Sequence, residues 1–91
     1  KSKLTITVLN GSGMAGAAGK MKSTLENAGY VVSNTGNADS YDYEETVVNI
    51  KATRKNYLPE LLRDLKATYT IGSTSANFTG STDAEVIVGK E

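Results

Sequence analysis

Gly11, Gly13 and Gly16 stand in the spacing G-x-G-x-x-G directly after the apolar run Leu4 to Leu9. That is where a dinucleotide fingerprint belongs. Its chemistry requires a helix N-terminus facing a pyrophosphate and an acidic residue about twenty positions on to hold the ribose hydroxyls. The run before the motif reads as a strand and the segment after it as a helix, so the first half of the context is met. The second half fails, because no Asp or Glu occurs from Val31 to Gly36 and the nearest, Asp39, follows the end of the next strand-like run. The residues then suit a structural motif. Asn10 ends the strand, Gly11 and Gly13 permit a tight turn, Ser12 or Gly13 lies near the helix cap, and Gly16 lets the helix approach the sheet. Another anion at the helix end is the remaining ligand reading, and no cofactor is expected.

A second group lies between Asn34 and Glu45. Asn34, Asn37, Asp39, Tyr41 and Tyr43 are side-chain types that hydrogen-bond to sugars and stack on them, and they make the candidate glycan or partner surface. Tyr41 and Tyr43 are two apart, so an extended backbone would point both rings to one side as a stacking platform. The opposing reading is a solvated turn with both rings folded onto the core. Asp39, Asp42, Glu44 and Glu45 lack the register of a calcium loop, and no metal site is expected. Lys51, Arg54 and Lys55 form a small basic cluster able to meet an anionic polymer or simply to be surface. Phe78, alone in a Gly/Ser/Thr stretch, is expected to tuck under a sheet edge rather than offer an anchor.

Composition narrows the chemistry further. The 91 residues contain no cysteine and no histidine, so general acid or base work would fall to carboxylates, tyrosines or lysines. Neither a thiolate metal site nor a typical zinc site can be assembled. Ten basic and ten acidic residues give a formal net charge of zero. The footprint of a nucleic-acid binder is missing, and so is a polybasic membrane patch. No run approaches the roughly 18 apolar residues of a membrane span, so direct membrane insertion of this segment is not expected. The start inside a strand-like run points to a single domain, residues 1–91, excised from a longer protein.

The elements that would position these residues follow from periodicity. Leu4 to Leu9 alternates apolar residues with threonine and reads as a strand. Met14, Ala18, Met21, Leu25 and Ala28 form one stripe of a helix from Met14 to Ala28, capped by Gly29. Short strands are expected at Tyr30–Ser33, Thr46–Ile50, Thr68–Ile71 and Ala84–Val88. A leucine-bearing helix spans Asn56–Lys66 with Pro59 in its first turn. No internal repeat of useful length is visible. The order β-α-β-β-α-β-β predicts an α+β two-layer sandwich, two helices on one face of a mainly antiparallel sheet, as in ferredoxin-like folds.

With these residues in view, "ITVLNGSGMAGAAGKMKSTLENAGYVV", "NADSYDYEETVVNI", the leucine helix and "DAEVIVGKE" resemble the LytR C-terminal domain over nearly the whole chain. The most specific matches are V-L-N-G-x-G-x-A-G, carried by Val8, Leu9, Asn10, Gly11, Gly13, Ala15 and Gly16, and the ending carried by Val86, Val88, Gly89, Lys90 and Glu91. Gly19 departs from the usual pattern and weakens the helix. The resemblance implies an extracytoplasmic location in the cell envelope, within a longer membrane-anchored or secreted protein and beside peptidoglycan. It does not imply catalysis. The phosphotransferase activity of such proteins resides in a LytR-CpsA-Psr domain, whose arginine and aspartate clusters have no counterpart here.

Two functions are therefore expected. In the first, the module is not an enzyme and binds cell-wall glycan or a wall-assembly protein of the envelope, without nucleic acid as a partner. The peptidoglycan-binding sporulation-related repeat, with its β-α-β-β-α-β order, is an analogy at the level of fold. In the second, the module is a spacer or interaction domain that contacts a catalytic neighbour or itself, with an exposed final strand adding to a partner's sheet.

Overall fold

The computed structural model describes residues 4–14, 16–38, 40–67, 69–80 and 82–90. Strand β1 (Thr5–Asn10) leads into helix α1 (Ala17–Asn27) and strand β2 (Val31–Asn37). Strand β3 (Thr46–Ile50) is followed by a 3-10 helix (Ala52–Tyr57), helix α2 (Leu58–Lys66), strand β4 (Ile71–Ser75) and strand β5 (Ala84–Val88).

Apolar periodicity builds both layers. Leu4, just before β1, and Ile6 and Val8 within it share one buried face of the sheet with Val48, Ile50, Ala84 and Val86. Met21 and Leu25 of α1 and Leu61 and Leu65 of α2 cover that same face, all nearly inaccessible. Each such leucine is worth about 1.5–3 kcal/mol when removed from water. Gly29, at φ +101°, ends α1 in a Schellman motif, with Tyr30 N–H donating to the Leu25 carbonyl and Gly29 N–H to that of Glu26. Pro59 sits in the first turn of α2, where its missing donor costs least.

The two-layer α+β sandwich and its element order stand as read from the sequence, but the sheet is not mainly antiparallel and its order is not ferredoxin-like. The strands lie in the order β2-β1-β5-β3-β4. β1 pairs in parallel with both β2 and β5, β3 pairs in parallel with β4, and only β3 with β5 is antiparallel. The reason is that each helix is a crossover between immediate neighbours, which makes the joined strands parallel. A half-turn about an axis through β5, normal to the sheet, would exchange the two β-α-β units. This repetition is one of topology, without a matching sequence repeat. The final strand lies at the centre of the sheet, so β2 and β4 are the edges and strand addition at β5 is closed.

Two further expectations shift. β4 occupies Ile71–Ser75, so Tyr69 and Thr70 of the expected Thr68–Ile71 strand precede it, while Thr68 lies outside the described residues; an edge strand pairing only with β3 needs no second apolar face, and Gly72 to Ser75 can serve. Helix α1 starts at Ala17, and Met14 lies outside it with 54% of its surface exposed instead of in the core.

The face of the sheet away from the helices satisfies its own polar groups. The Thr7 and Thr82 hydroxyls lie 2.7 Å apart, and Asn49 Nδ2 donates to Glu85 at 3.0 Å. Asp83 accepts from Thr5 N–H at 3.1 Å and from Arg54 Nε at 3.3 Å. Arg54 is thereby a structural clip between the 3-10 helix and the start of β5. Phe78 curls over Gly80 in its own loop, and its backbone N–H donates to the Ile50 carbonyl.

Candidate functional site

The carboxyl ends of β2, β1 and β5 form one rim, since Asn37, Asn10 and Val88 occupy a single register row. Chain connectivity makes this rim unusual. From Asn37 the connection to β3 must pass over the ends of both β1 and β5, because those two strands lie between β2 and β3.

The glycine motif is the floor of that crossing. A Cβ at Gly11 would lie 2.5 Å from Tyr43 Cδ1 and 2.9 Å from Ile87 Cγ2. A Cβ at Gly13 would come 3.3 Å from Tyr41 Cβ, and one at Gly89 would overlap the backbone carbonyl of Glu45. Backbone hydrogen bonds fasten the crossing segment there, from Tyr43 N–H to the Gly11 carbonyl and from Lys90 N–H to the Tyr43 carbonyl. The two quoted signatures, one early and one at the end of the chain, therefore meet beneath residues 41–45.

Asn10 shapes the turn itself. Its Oδ1 accepts from Ser12 N–H at 3.0 Å and Ser12 Oγ at 2.7 Å, while its Nδ2 donates to the Met14 carbonyl at 2.7 Å. Gly13 (φ +76°) and Gly16 (φ +83°) take left-handed conformations open to glycine at little cost. Gly16 has no atom near its missing Cβ, so its role is this backbone conformation at the α1 N-cap rather than close approach to the sheet.

The sugar-type residues are distributed unevenly over this rim. Asn37 and the half-exposed Tyr41 line one cleft of about 270 Å³ with Asn10, Gly13 and Met14. Tyr43, half-buried against Gly11, lines a different cleft with Asp42, Glu44 and Glu45. The pair does not make the single platform of an extended strand, because the Tyr41 side chain lies against Gly13 and the Tyr43 ring against Gly11. Asn34 is exposed along β2, three residues before the rim. Asp39 lies outside the described residues, as do Ala15 and Glu91 of the quoted signatures.

A further cleft of about 230 Å³ adjoins the first and shares Met14 with it, continuing past Gly16, Ala17 and Lys20 to Tyr69 and Val88. The spacing of apolar residues gave no sign of it. Met14, which the helical spacing places in the apolar stripe of α1, instead stands exposed at its mouth. Among the described residues no group of His, Cys, Asp or Glu could hold a metal ion. No helix of those residues is long and apolar enough to cross a membrane.

Comparison with known proteins agrees with this architecture. The chain is similar to the soluble domain of a conserved hypothetical secreted protein from Mycobacterium marinum, with a TM-score of 0.74 at 14% identity, over 99% of this chain and 61% of that one. It thus spans about three fifths of that protein's domain, and the likeness is one of fold. No curated protein sequence matches it. The family model described as LytR cell envelope-related transcriptional attenuator matches residues 3–91, and the chain belongs to this LytR C-terminal family.

Proposed function

We propose that the domain is a non-catalytic, extracytoplasmic module of a cell-envelope protein and that it holds wall glycan in the cleft between Asn37 and Tyr41. The observation that carries the reading is Tyr41, a residue 50% exposed beside the exposed Asn37 amide and against Gly13. An aromatic face flanked by amide donors and acceptors suits a pyranose, which offers apolar ring faces and peripheral hydroxyls. Membership of an envelope family supports the location, within a longer membrane-anchored or secreted protein. The absence of histidine and cysteine from the sequence, together with an Asn10 amide occupied by its own turn, supports binding rather than catalysis.

Co-sedimentation with purified cell-wall sacculi tests the reading. The domain is expected to pellet, and Tyr41→Ala is expected to weaken retention by about tenfold, the loss of one buried contact worth roughly 1.4 kcal/mol. No co-sedimentation at any salt concentration would remove it. A second reading has its own support in β2, an exposed edge strand without a charged residue or proline, open to a partner's strand. Analytical ultracentrifugation with and without the neighbouring domain of the parent protein separates the two.

A further inference from the structure

Of the seven asparagines in the chain, Asn10 alone is followed by glycine. Such a pair carries a chemistry of its own. The backbone nitrogen of the second residue can attack the side-chain carbonyl carbon of the first, and a glycine nitrogen is the least shielded because no Cβ stands beside it. As the new N–Cγ bond forms, the Cγ–Nδ2 bond breaks and ammonia leaves with the proton taken from the nitrogen. Water then opens the resulting succinimide to aspartate or isoaspartate. Nothing but water is consumed.

The fold closes each route into this reaction. Gly11 N–H donates to the Val88 carbonyl at 2.8 Å, at the end of the pairing between β1 and β5, so the attacking nitrogen holds its proton in a bond between two interior strands of the sheet. The Asn10 amide is held at both ends, since Oδ1 accepts from Ser12 N–H and Ser12 Oγ while Nδ2 donates to the Met14 carbonyl. Rotation of the side chain toward the nitrogen would sacrifice these three bonds. Only 9% of Asn10 is exposed, which shields it from the hydroxide that takes the proton and from the water that completes the reaction.

We infer that Asn10 is a deamidation site which the folded domain keeps silent and which the opening of β1 from β5 sets off, with irreversible loss of the rim as its result. The same contacts explain the irreversibility. An aspartate at position 10 keeps the acceptor for Ser12 but replaces the donor to Met14 by a carboxylate oxygen, so two acceptors meet where a 2.7 Å hydrogen bond stood. Isoaspartate inserts a methylene into the main chain directly before Gly11, whose N–H bonds Val88 and whose carbonyl accepts from Tyr43. Both β5 and the crossing segment then lose their register with the turn. Asn10 also lines the Asn37–Tyr41 cleft, so the change removes a wall of the candidate site, whatever that site binds. With no cysteine in the chain, no disulfide restrains the opening.

The test follows the reaction by peptide mapping and by labelling with an isoaspartyl methyltransferase, during incubation at mildly alkaline pH of the domain folded and unfolded in urea. Modification is expected at Asn10 in urea, at least about fiftyfold faster than in the folded domain, because a reaction at an interior strand waits for that strand to open. Val86→Ala, which leaves a cavity in β5 away from the reacting atoms, should speed the reaction of the folded domain in proportion to its loss of stability and leave the rate in urea unchanged. Urea held below the unfolding midpoint supplies the same gradient of opening in the unaltered domain, should that variant fail to fold. Gly11→Ala should slow the reaction in urea severalfold. Asn10→Asp should lower the melting temperature and shift the amide resonances of Gly11, Met14 and Tyr43. Equal rates in the folded and unfolded domain, a folded-state rate indifferent to the degree of opening, or first modification at another asparagine would overturn the assignment. An Asn10→Asp domain with unchanged melting temperature and resonances would overturn the loss of the rim.

Discussion

Gly11 is the position where the packing argument can be tested most sharply. Its φ is not positive, so alanine is not strained there, and the obstacle to a side chain is the Tyr43 ring at 2.5 Å. Forcing one methyl into such a contact costs about 1–3 kcal/mol, and the stiffer unfolded chain returns about 0.4–1 kcal/mol. Gly11→Ala should therefore destabilise the domain by about 0.5–2 kcal/mol. At about 4–8 °C per kcal/mol for a domain of this size, the melting temperature falls by roughly 2–15 °C. A thermal or urea double-mutant cycle with Tyr43→Ala isolates the cause: in that background the penalty of Gly11→Ala should shrink by at least about 0.5 kcal/mol. Gly89→Ala supplies the contrast, because its obstacle is the Glu45 backbone and truncating the Glu45 side chain leaves that in place. Additive effects in the Gly11–Tyr43 cycle, or an unchanged melting temperature for Gly11→Ala, would show that the motif does not make room for the crossing segment.

At Gly16, where the left-handed φ alone matters, Gly16→Asn should be nearly neutral and Gly16→Val should cost about 1–2 kcal/mol by chemical denaturation. Burial and the 2.8 Å hydrogen bond to Asp64 push the Tyr30 phenol well above its ordinary value. The stability this gives is complete below pH about 10 and is lost as pH rises beyond it, so Tyr30→Phe should flatten the alkaline limb of a stability profile. Asp83 behaves in the opposite sense. Burial opposes its charged form, yet hydrogen bonds from Thr5 and Arg54 outweigh that and lower its pKa. Its contribution is present above the ordinary carboxylate range and disappears as pH falls below it, and Asp83→Asn should remove that part of the acid limb.

The sequence by itself determined the layers. Alternation in β1 and β3, the leucines of α2 and the glycine after α1 are local patterns that bury one face whatever the strand order, so both helices and the α+β class were legible. The turn between β1 and α1 was legible in the same way, and Gly13 and Gly16 take left-handed conformations there. Strand order was not, because β5 carries the same apolar pattern whether it lies at an edge or between β1 and β3, and only long-range pairing places it. Nor was β4, whose Gly-Ser-Thr-Ser run has the composition of a loop and becomes a strand through hydrogen bonds to β3. That central insertion of β5 then decides the site. It compels the β2–β3 connection to cross two strand ends, divides Tyr41 from Tyr43 over separate glycines, and brings Tyr69 from beyond α2 to the N-terminus of α1. The reason is physical: periodicity records which side of an element meets the core, whereas the neighbour an element finds depends on contacts between segments far apart in the chain.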